Sequence, residues 1–248
     1  MKVSIITATY NSAKTIHDTL ASLEAQTYPD IEYIIVDGGS TDHTLEVIQA
    51  QSSRVSITIS EPDKGIYDAL NKGINAATGD IVGFLHSDDF FAYPEAVQDI
   101  VDQFLAGDVD AVYGDLEYVS QESTSKVIRF WKSGPYKKSK LKLGWMPPHP
   151  TFYMKRERYK QWGGFDLSYK IAADYDSLLR YLWCNNASMK YLEKVTIKMR
   201  VGGASNRSIS NIIQKTKEDI RALTVNHLFW PLAVFWKNFS KIPQFFKK

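Results

Sequence analysis

The sequence predicts an α/β fold, with a mostly parallel central sheet flanked by helices and a C-terminal helical appendage. Three observations carry this reading. Short apolar runs alternate with stretches of helical period through the first half, each run stops at polar residues or glycines, and a separate helical pattern begins near Ile209. A chain of 248 residues buries a sizeable core and fits one elaborated domain.

The elements follow in order. Val3–Ala8 reads as a first strand, and Thr9-Tyr10-Asn11-Ser12 leads into a helix with Ile16, Leu20 and Leu23 on one face. Glu32–Val36 reads as a second strand ending at Asp37-Gly38-Gly39-Ser40-Thr41-Asp42, a tight turn before a helix bearing Leu45 and Ile48. Ser56–Ser60 is a third strand, and Glu61-Pro62-Asp63-Lys64-Gly65 opens a helix to about Ala77. The turn at Thr78-Gly79-Asp80 enters a fourth strand, Ile81–Leu85, which stops at His86-Ser87-Asp88-Asp89. A helix over Pro94–Phe104 and a fifth strand, Ala111–Tyr113 ending at Gly114-Asp115, complete the regular alternation. Residues 126–146 hold Lys126, Arg129, Lys132, Lys137, Lys138, Lys140 and Lys142 with no acid, and read as a hairpin and mobile loop. Order resumes over Pro147–Tyr153, and a helix begins near Asp174.

A composition of 44% hydrophobic and 23% charged residues excludes a disordered chain, and a formal charge of +2 gives no support to nucleic-acid binding. The single cysteine, Cys184, excludes an internal disulfide, fits a reducing compartment and reads as a buried structural thiol. Met1 leads into Val3-Ser4-Ile5-Ile6 without the pattern of a cleaved signal peptide, and no stretch reaches the roughly 18 to 20 apolar residues of a spanning helix. The expected location is cytoplasmic.

In open α/β sheets, ligands collect at the carboxyl ends of the strands. Four such ends carry Thr9 and Asn11, Asp37, Asp63 with Gly65, and Ser87 with Asp88 and Asp89. Adjacent carboxylates repel unless a cation sits beside them, so Asp88 and Asp89 read as ligands for Mg2+ or Mn2+ on a diphosphate, or else as caps for the next helix. Asp37 and Asp63 each read as a contact for a base or ribose, or as a turn residue. Asp174 and Asp176 start a helix, where acids complement the dipole or, facing a cleft, serve as a general base. His149, between two prolines, reads as a substrate or phosphate contact or as a stacked structural ring.

Five segments in this order resemble the nucleotide-sugar glycosyltransferases of family 2, which have the GT-A fold. They are Val3–Asn11, Ile35–Asp42, Asp63-Lys64-Gly65 through Asn71-Lys72-Gly73, Phe84–Asp89, and Gly163-Gly164-Phe165-Asp166 with Ala173–Asp176. The resemblance implies that Asp37 contacts the donor nucleotide and that Thr7 and Asp63 frame it, with Thr9, Asn11, Gly65 and Ser87 around the donor. It implies Mg2+ or Mn2+ on Asp88, helped by Asp89, and Asp174 as the base of an inverting displacement. His149 and Asp176 are left as acceptor or phosphate contacts. Two positions depart from the family pattern: His86 stands where the metal motif usually begins with a carboxylate, and Ala173 where many relatives carry glutamate.

Through Ile171–Asp176 and Pro148–Thr151 the likeness is to bacterial enzymes that assemble O-antigen, capsule or exopolysaccharide. This implies a UDP-sugar donor and a lipid-linked saccharide acceptor. A glycosyltransferase domain is expected over residues 1–205, with a nucleotide-sugar half at about 1–115 and an acceptor half at about 116–205, before an amphipathic extension over 206–248.

Residues 225–248 combine Phe229, Trp230, Phe235, Trp236, Phe239, Phe245 and Phe246 with Lys237, Lys241, Lys247 and Lys248, and no acid. Helical spacing puts Val225, Leu228, Phe229, Leu232, Phe235, Trp236 and Phe239 on one face. That face predicts a peripheral contact with the cytoplasmic side of the inner membrane, or a helix packed on the domain's own core. Two other functions share parts of the pattern. A nucleotidyltransferase of similar fold would normally show a glycine-rich basic loop after the first strand, which Thr9–Lys14 matches poorly. The presence of both Asp88 and Asp174 argues against a catalytically silent sugar-nucleotide or membrane-binding protein.

Overall fold

The computed structural model describes residues 1–202 and 209–239. Strands β1 (Val3–Thr9), β2 (Ile31–Asp37), β3 (Val55–Ser60) and β4 (Ile81–Phe84) lie parallel in the order β3-β2-β1-β4. The near-continuous apolar runs of β1 and β2 follow from burial on both faces. On one face, Ile5 and Ile35 pack with α1 (Ile16–Glu24), α2 (Thr44–Gln51) and α4 (Ala96–Leu105). On the other, Ile6, Ile34 and Val36 meet α3 (Ile66–Ala76) and α6 (Ala173–Leu179). Leu20 and Leu23 of α1 are fully buried, and each contributes on the order of 2 kcal/mol of hydrophobic stabilisation.

Beyond β4 the sheet is mixed. β8 (Tyr153–Lys155) runs antiparallel between β4 and β6 (Ala111–Val119), and β9 (Met189–Arg200) runs parallel to β6. β5 (Asp89–Phe91) closes on β9 and β7 (Val127–Trp131) on β6, both antiparallel. The fifth strand expected to stop at Gly114-Asp115 instead continues to Val119. The register with β9 shifts between Tyr113 and Asp115, so Gly114 marks a bulge rather than a strand end. The hairpin expected after residue 126 is present as β6 and β7, but the segment expected as a mobile loop forms a 3-10 helix over Lys138–Leu143. Lys138 and Lys142 hold it by lying over the Trp183 ring at 4.7 and 5.5 Å.

The second half of the chain is completed by α5 (Arg156–Trp162), by α6 with a π-helical turn over Arg180–Cys184, and by α7 (Ile209–Val225) and α8 (Trp230–Phe239). The expected boundary at 205/206 falls among residues 203–208, outside the described residues. Pro231 sits in the first turn of α8, where its missing N–H removes no helical bond. α8 docks through Ala233 and Lys237, both buried. A Cβ added at Gly144 would overlap the Ala233 carbonyl, so the glycine admits the helix.

Two expectations are corrected here. Lys237, counted among lysines for a membrane surface, is 7% exposed and pairs with Asp219 at 2.8 Å, its ammonium 3.3 Å from the Tyr175 ring centre. Cys184, expected as a buried thiol, is exposed, because the π-helical turn brings it to the surface beside Asn226. Val225, Phe229, Leu232, Phe235 and Trp236 of the anticipated apolar face are exposed, whereas Leu228 is buried. The side chain of Phe239 and residues 240–248, with Lys241, Phe245, Phe246, Lys247 and Lys248, lie outside the described residues.

Candidate active site

The parallel register sets Thr9 beside Asp37 and Asp37 beside Ser60 at one edge of the sheet. Asp37 is fully buried, and its carboxylate accepts the Gly39 and Ser40 N–H groups at 3.2 and 3.0 Å, the Ser60 hydroxyl at 2.8 Å and the Ser40 hydroxyl. The carboxylate thus organises the β2–α2 turn at the strand end. Thr7 is also internal: its hydroxyl donates to the Leu85 carbonyl at 2.6 Å and meets the Tyr33 hydroxyl at 3.0 Å, tying β1 to the end of β4. Thr9 differs, since its hydroxyl is buried with no hydrogen-bond partner.

Asp63 reaches the same edge from the β3–α3 loop. Its carboxylate occupies the space that a Cβ on Gly38 would need, and it accepts the Gly65 N–H at 2.7 Å. Asn11, at φ +50°, accepts the Thr41 N–H at 2.9 Å, while its own N–H donates to the Ser40 hydroxyl at 2.8 Å. Ser12 and Ser87 meet at 2.9 Å. Asn11, Ser12 and Ser87 therefore stitch three strand-end loops into one rim.

The loop after β4 separates the paired acids. Asp88 is half-buried, and among the described residues no donor engages its carboxylate. Asp89 is 0% exposed with both carboxylate oxygens unpartnered, and burial together with Asp88 pushes its pKa well above the carboxylate range. Asp89 is thus sealed beneath the loop on which Asp88 is the more open of the two acids. Arg200, at the end of β9, pins this loop by donating to the Asp88 carbonyl at 2.8 Å while pairing with Asp18.

His86 links the two sides of the cleft. Burial lowers the pKa of its imidazole, against the pull of both Asp88 and Asp174. Its ring lies 6.4 Å from that of His149, which itself stacks on Phe84 at 5.2 Å. Burial, with His86 beside it, brings the His149 pKa down to about 3, which favours the neutral ring.

Asp174 stands at the second position of α6. Its Oδ1 accepts the Tyr175 N–H at 2.8 Å and lies 3.4 Å from the Tyr67 hydroxyl, which donates to the Ile171 carbonyl at 2.6 Å. Among the described residues Oδ2 receives no donor, which leaves one basic oxygen available. Asp176 is 3% exposed and bonded to Arg180 at 2.9 Å and Asn226 at 3.1 Å, which ties α6 to its surroundings.

Residues 4–170 match the family described as Glycosyl transferase family 2. The chain belongs to that family. An uncharacterised glycosyltransferase of Mycobacterium tuberculosis is 33% identical over 181 residues, covering 72% of this chain and 68% of its own. A PGL/p-HBAD biosynthesis glycosyltransferase of Mycobacterium bovis is 29% identical over 242 residues, covering 93% and 91%. Among solved structures, S. aureus TarS 1–349 in complex with UDP superposes with a TM-score of 0.67 at 22% identity, over 91% of this chain and 65% of that one. The mannosyltransferase PcManGT of Pyrobaculum calidifontis, in complex with GDP-Man and Mn2+, gives 0.65 at 19%, over 96% and 73%. These likenesses identify the GT-A fold; the chain spans about two thirds of the TarS fragment.

Asp63, Asp88 and Asp174 each keep a carboxylate oxygen that receives no donor among the described residues, Asp63 and Asp88 on strand-end loops and Asp174 on α6. Among the described residues no group of three or more His, Cys, Asp or Glu side chains forms a protein-only metal cage. Asp88 fits a site in which the protein gives one or two ligands and a diphosphate and waters give the rest, as Mg2+ commonly requires. Tyr67, Arg200 and Glu218 serve this site without having been anticipated. Tyr67 lies within the segment Asp63–Gly73, so the position was visible, but its partner is 107 residues away.

Proposed function

We propose that this family 2 enzyme transfers a sugar, with inversion, from a UDP-sugar to a hydroxyl of a lipid-linked saccharide in bacterial surface polysaccharide assembly. The observation that carries the reading is that, among the described residues, neither the Asp88 carboxylate nor Oδ2 of Asp174 receives a donor, while both acids act on the same buried His86 ring. The acceptor oxygen attacks the anomeric carbon, the bond from that carbon to the diphosphate oxygen breaks, and the hydroxyl proton passes to Asp174. The hydroxyl becomes acidic only as the new bond forms, so a carboxylate suffices to take its proton. A divalent ion at Asp88 would neutralise charge on the departing diphosphate. Neighbours holding UDP-GlcNAc and GDP-Man support a nucleotide-sugar donor, and the relative named for PGL/p-HBAD biosynthesis supports a glycoconjugate product.

Membrane attachment belongs to the same proposal. Val225, Phe229, Leu232, Phe235 and Trp236 stay exposed while α8 is docked, next to a 3-10 helix rich in lysine. Aromatics in an interface with lysines on anionic headgroups would bring the cleft to a lipid-borne acceptor on the cytoplasmic face. Among the described residues no helix is long and apolar enough to cross a membrane. The test is hydrolysis of UDP-GlcNAc, other UDP-sugars and GDP-mannose by the full chain with Mn2+. Turnover of at least one donor that stops on chelation supports the reading, and no turnover of any donor refutes it.

A further inference from the structure

Glu218 lies on α7, beyond the residues that match the family. It is 4% exposed, and its carboxylate accepts three consecutive backbone N–H groups, from Lys170 at 3.0 Å, Ile171 at 2.8 Å and Ala172 at 2.9 Å. Gln214, one turn earlier, donates to the same carboxylate at 2.7 Å. Burial alone would raise its pKa, but the bonds from Gln214 and the amides outweigh that and hold it below the ordinary value, so the charged form makes the clamp.

The clamped peptides lead directly into α6. Ala172 precedes the helix and offers no side-chain cap, and Asp174 is the second helical residue. The Ile171 carbonyl in the same run receives the Tyr67 hydroxyl that also approaches Asp174. Neighbouring groups on α7 hold the surroundings: Arg221 donates to the Ser168 hydroxyl at 2.8 Å and lies over the Tyr169 ring, and Asn226, just past the helix, donates to Asp176. An acid so placed is not in reach of a substrate. It fixes the entry angle of the helix that carries the base.

We propose that Glu218 is a positioning residue for Asp174, supplied by the C-terminal helices, and that its clamp on residues 170–172 sets the direction of the base. The proposal rests on the reading of Asp174 as the base. A displacement of about 1 Å at a catalytic group lowers turnover by roughly 100-fold, so loss of the clamp acts on kcat rather than on donor binding.

The experiment compares wild type, Glu218→Gln, Asp174→Asn and the double variant in hydrolysis of the fastest-turning nucleotide sugar with Mn2+, with UDP binding and thermal unfolding as controls of folding. Glu218→Gln is expected to lower kcat by about 10- to 100-fold with donor KM within about twofold, and to add less than about twofold to the loss from Asp174→Asn. Gln214→Ala, which loosens Glu218 without removing it, gives the same split at smaller amplitude and serves if Glu218→Gln does not fold. Turnover of Glu218→Gln within about twofold of wild type overturns the proposal, as does a full multiplicative loss in the double variant. If Asp174→Asn alone keeps its activity, the base reading has failed instead. A wild-type chain that turns over none of the donors sinks both.

Discussion

The Tyr67 hydroxyl spans the two halves of the cleft, donating to the Ile171 carbonyl at 2.6 Å and lying 3.4 Å from Asp174 Oδ1. Tyr67 stands on α3, so one partly buried phenol ties that helix to the start of α6, where the proposed base sits. Replacing it with phenylalanine keeps the ring in place, stacked near Phe165 at 5.4 Å, and removes only the hydroxyl. Tyr67→Phe is expected to cost about 1 kcal/mol of stability and to lower kcat roughly tenfold, with donor KM little changed. Steady-state kinetics on the purified variant check this.

Gly38 and Asp63 share one space. A methyl group at position 38 forces the Asp63 carboxylate off the end of β2, and with it the Gly65 N–H that it accepts. Gly38→Ala is therefore expected to weaken UDP binding by about tenfold, equivalent to about 1.4 kcal/mol, with the fold intact. Titration calorimetry with UDP and Mn2+ reads the change directly, and unchanged affinity would remove Asp63 from the donor site.

Strands β1 to β4 were legible because burial on both faces writes each as an apolar run that stops at polar residues. Asp88 was legible because nothing in a buried scaffold calls for a carboxylate at a strand end, whereas Asp174, in the first turn of α6, stood out only through the resemblance to the family. β9 was not legible, since Leu192-Glu193 breaks the alternation of Tyr191, Val195, Ile197 and Met199 with Lys190, Lys194 and Lys198 midway, and Arg200 was lost with it. The Gly114 bulge carried the same signature as a turn. Asp37, Asp89 and Asp176 show the limit of residue type as a guide, because identical side chains serve a turn, a sealed core and an ion pair.

Acid stability follows from Glu32. It is 5% exposed, and although burial raises its pKa, bonds from Lys2, Ser4 and Thr78 lower it from 4.5 to about 2. A depressed folded-state pKa gives stability that is complete above about pH 4.5 and is lost as pH falls toward 2. Glu32→Gln is expected to lose roughly 1–3 kcal/mol at neutral pH and to flatten the acid limb of the stability profile. Urea unfolding across this range measures both.

The proposed membrane contact calls for point variants, because removal of the chain beyond residue 224 would take Asn226 from Asp176 and Lys237 from Asp219. Phe229 and Trp236 are 73% and 46% exposed, so Phe229→Ser with Trp236→Ser leaves the core untouched. Flotation with vesicles of anionic phospholipid should fall by about tenfold or more, given the apolar area withdrawn. Equal flotation of variant and wild type would contradict attachment through this face.

The central claim is that Asp174 takes the proton of the attacking hydroxyl. Asp174→Asn keeps the shape of the side chain and its bond from the Tyr175 amide, while removing the basic oxygen. The decisive measurement is sugar transfer by this variant beside UDP binding and thermal unfolding. The account predicts wild-type folding and UDP affinity with transfer reduced by about 100- to 10,000-fold. Transfer within about tenfold of wild type would contradict it.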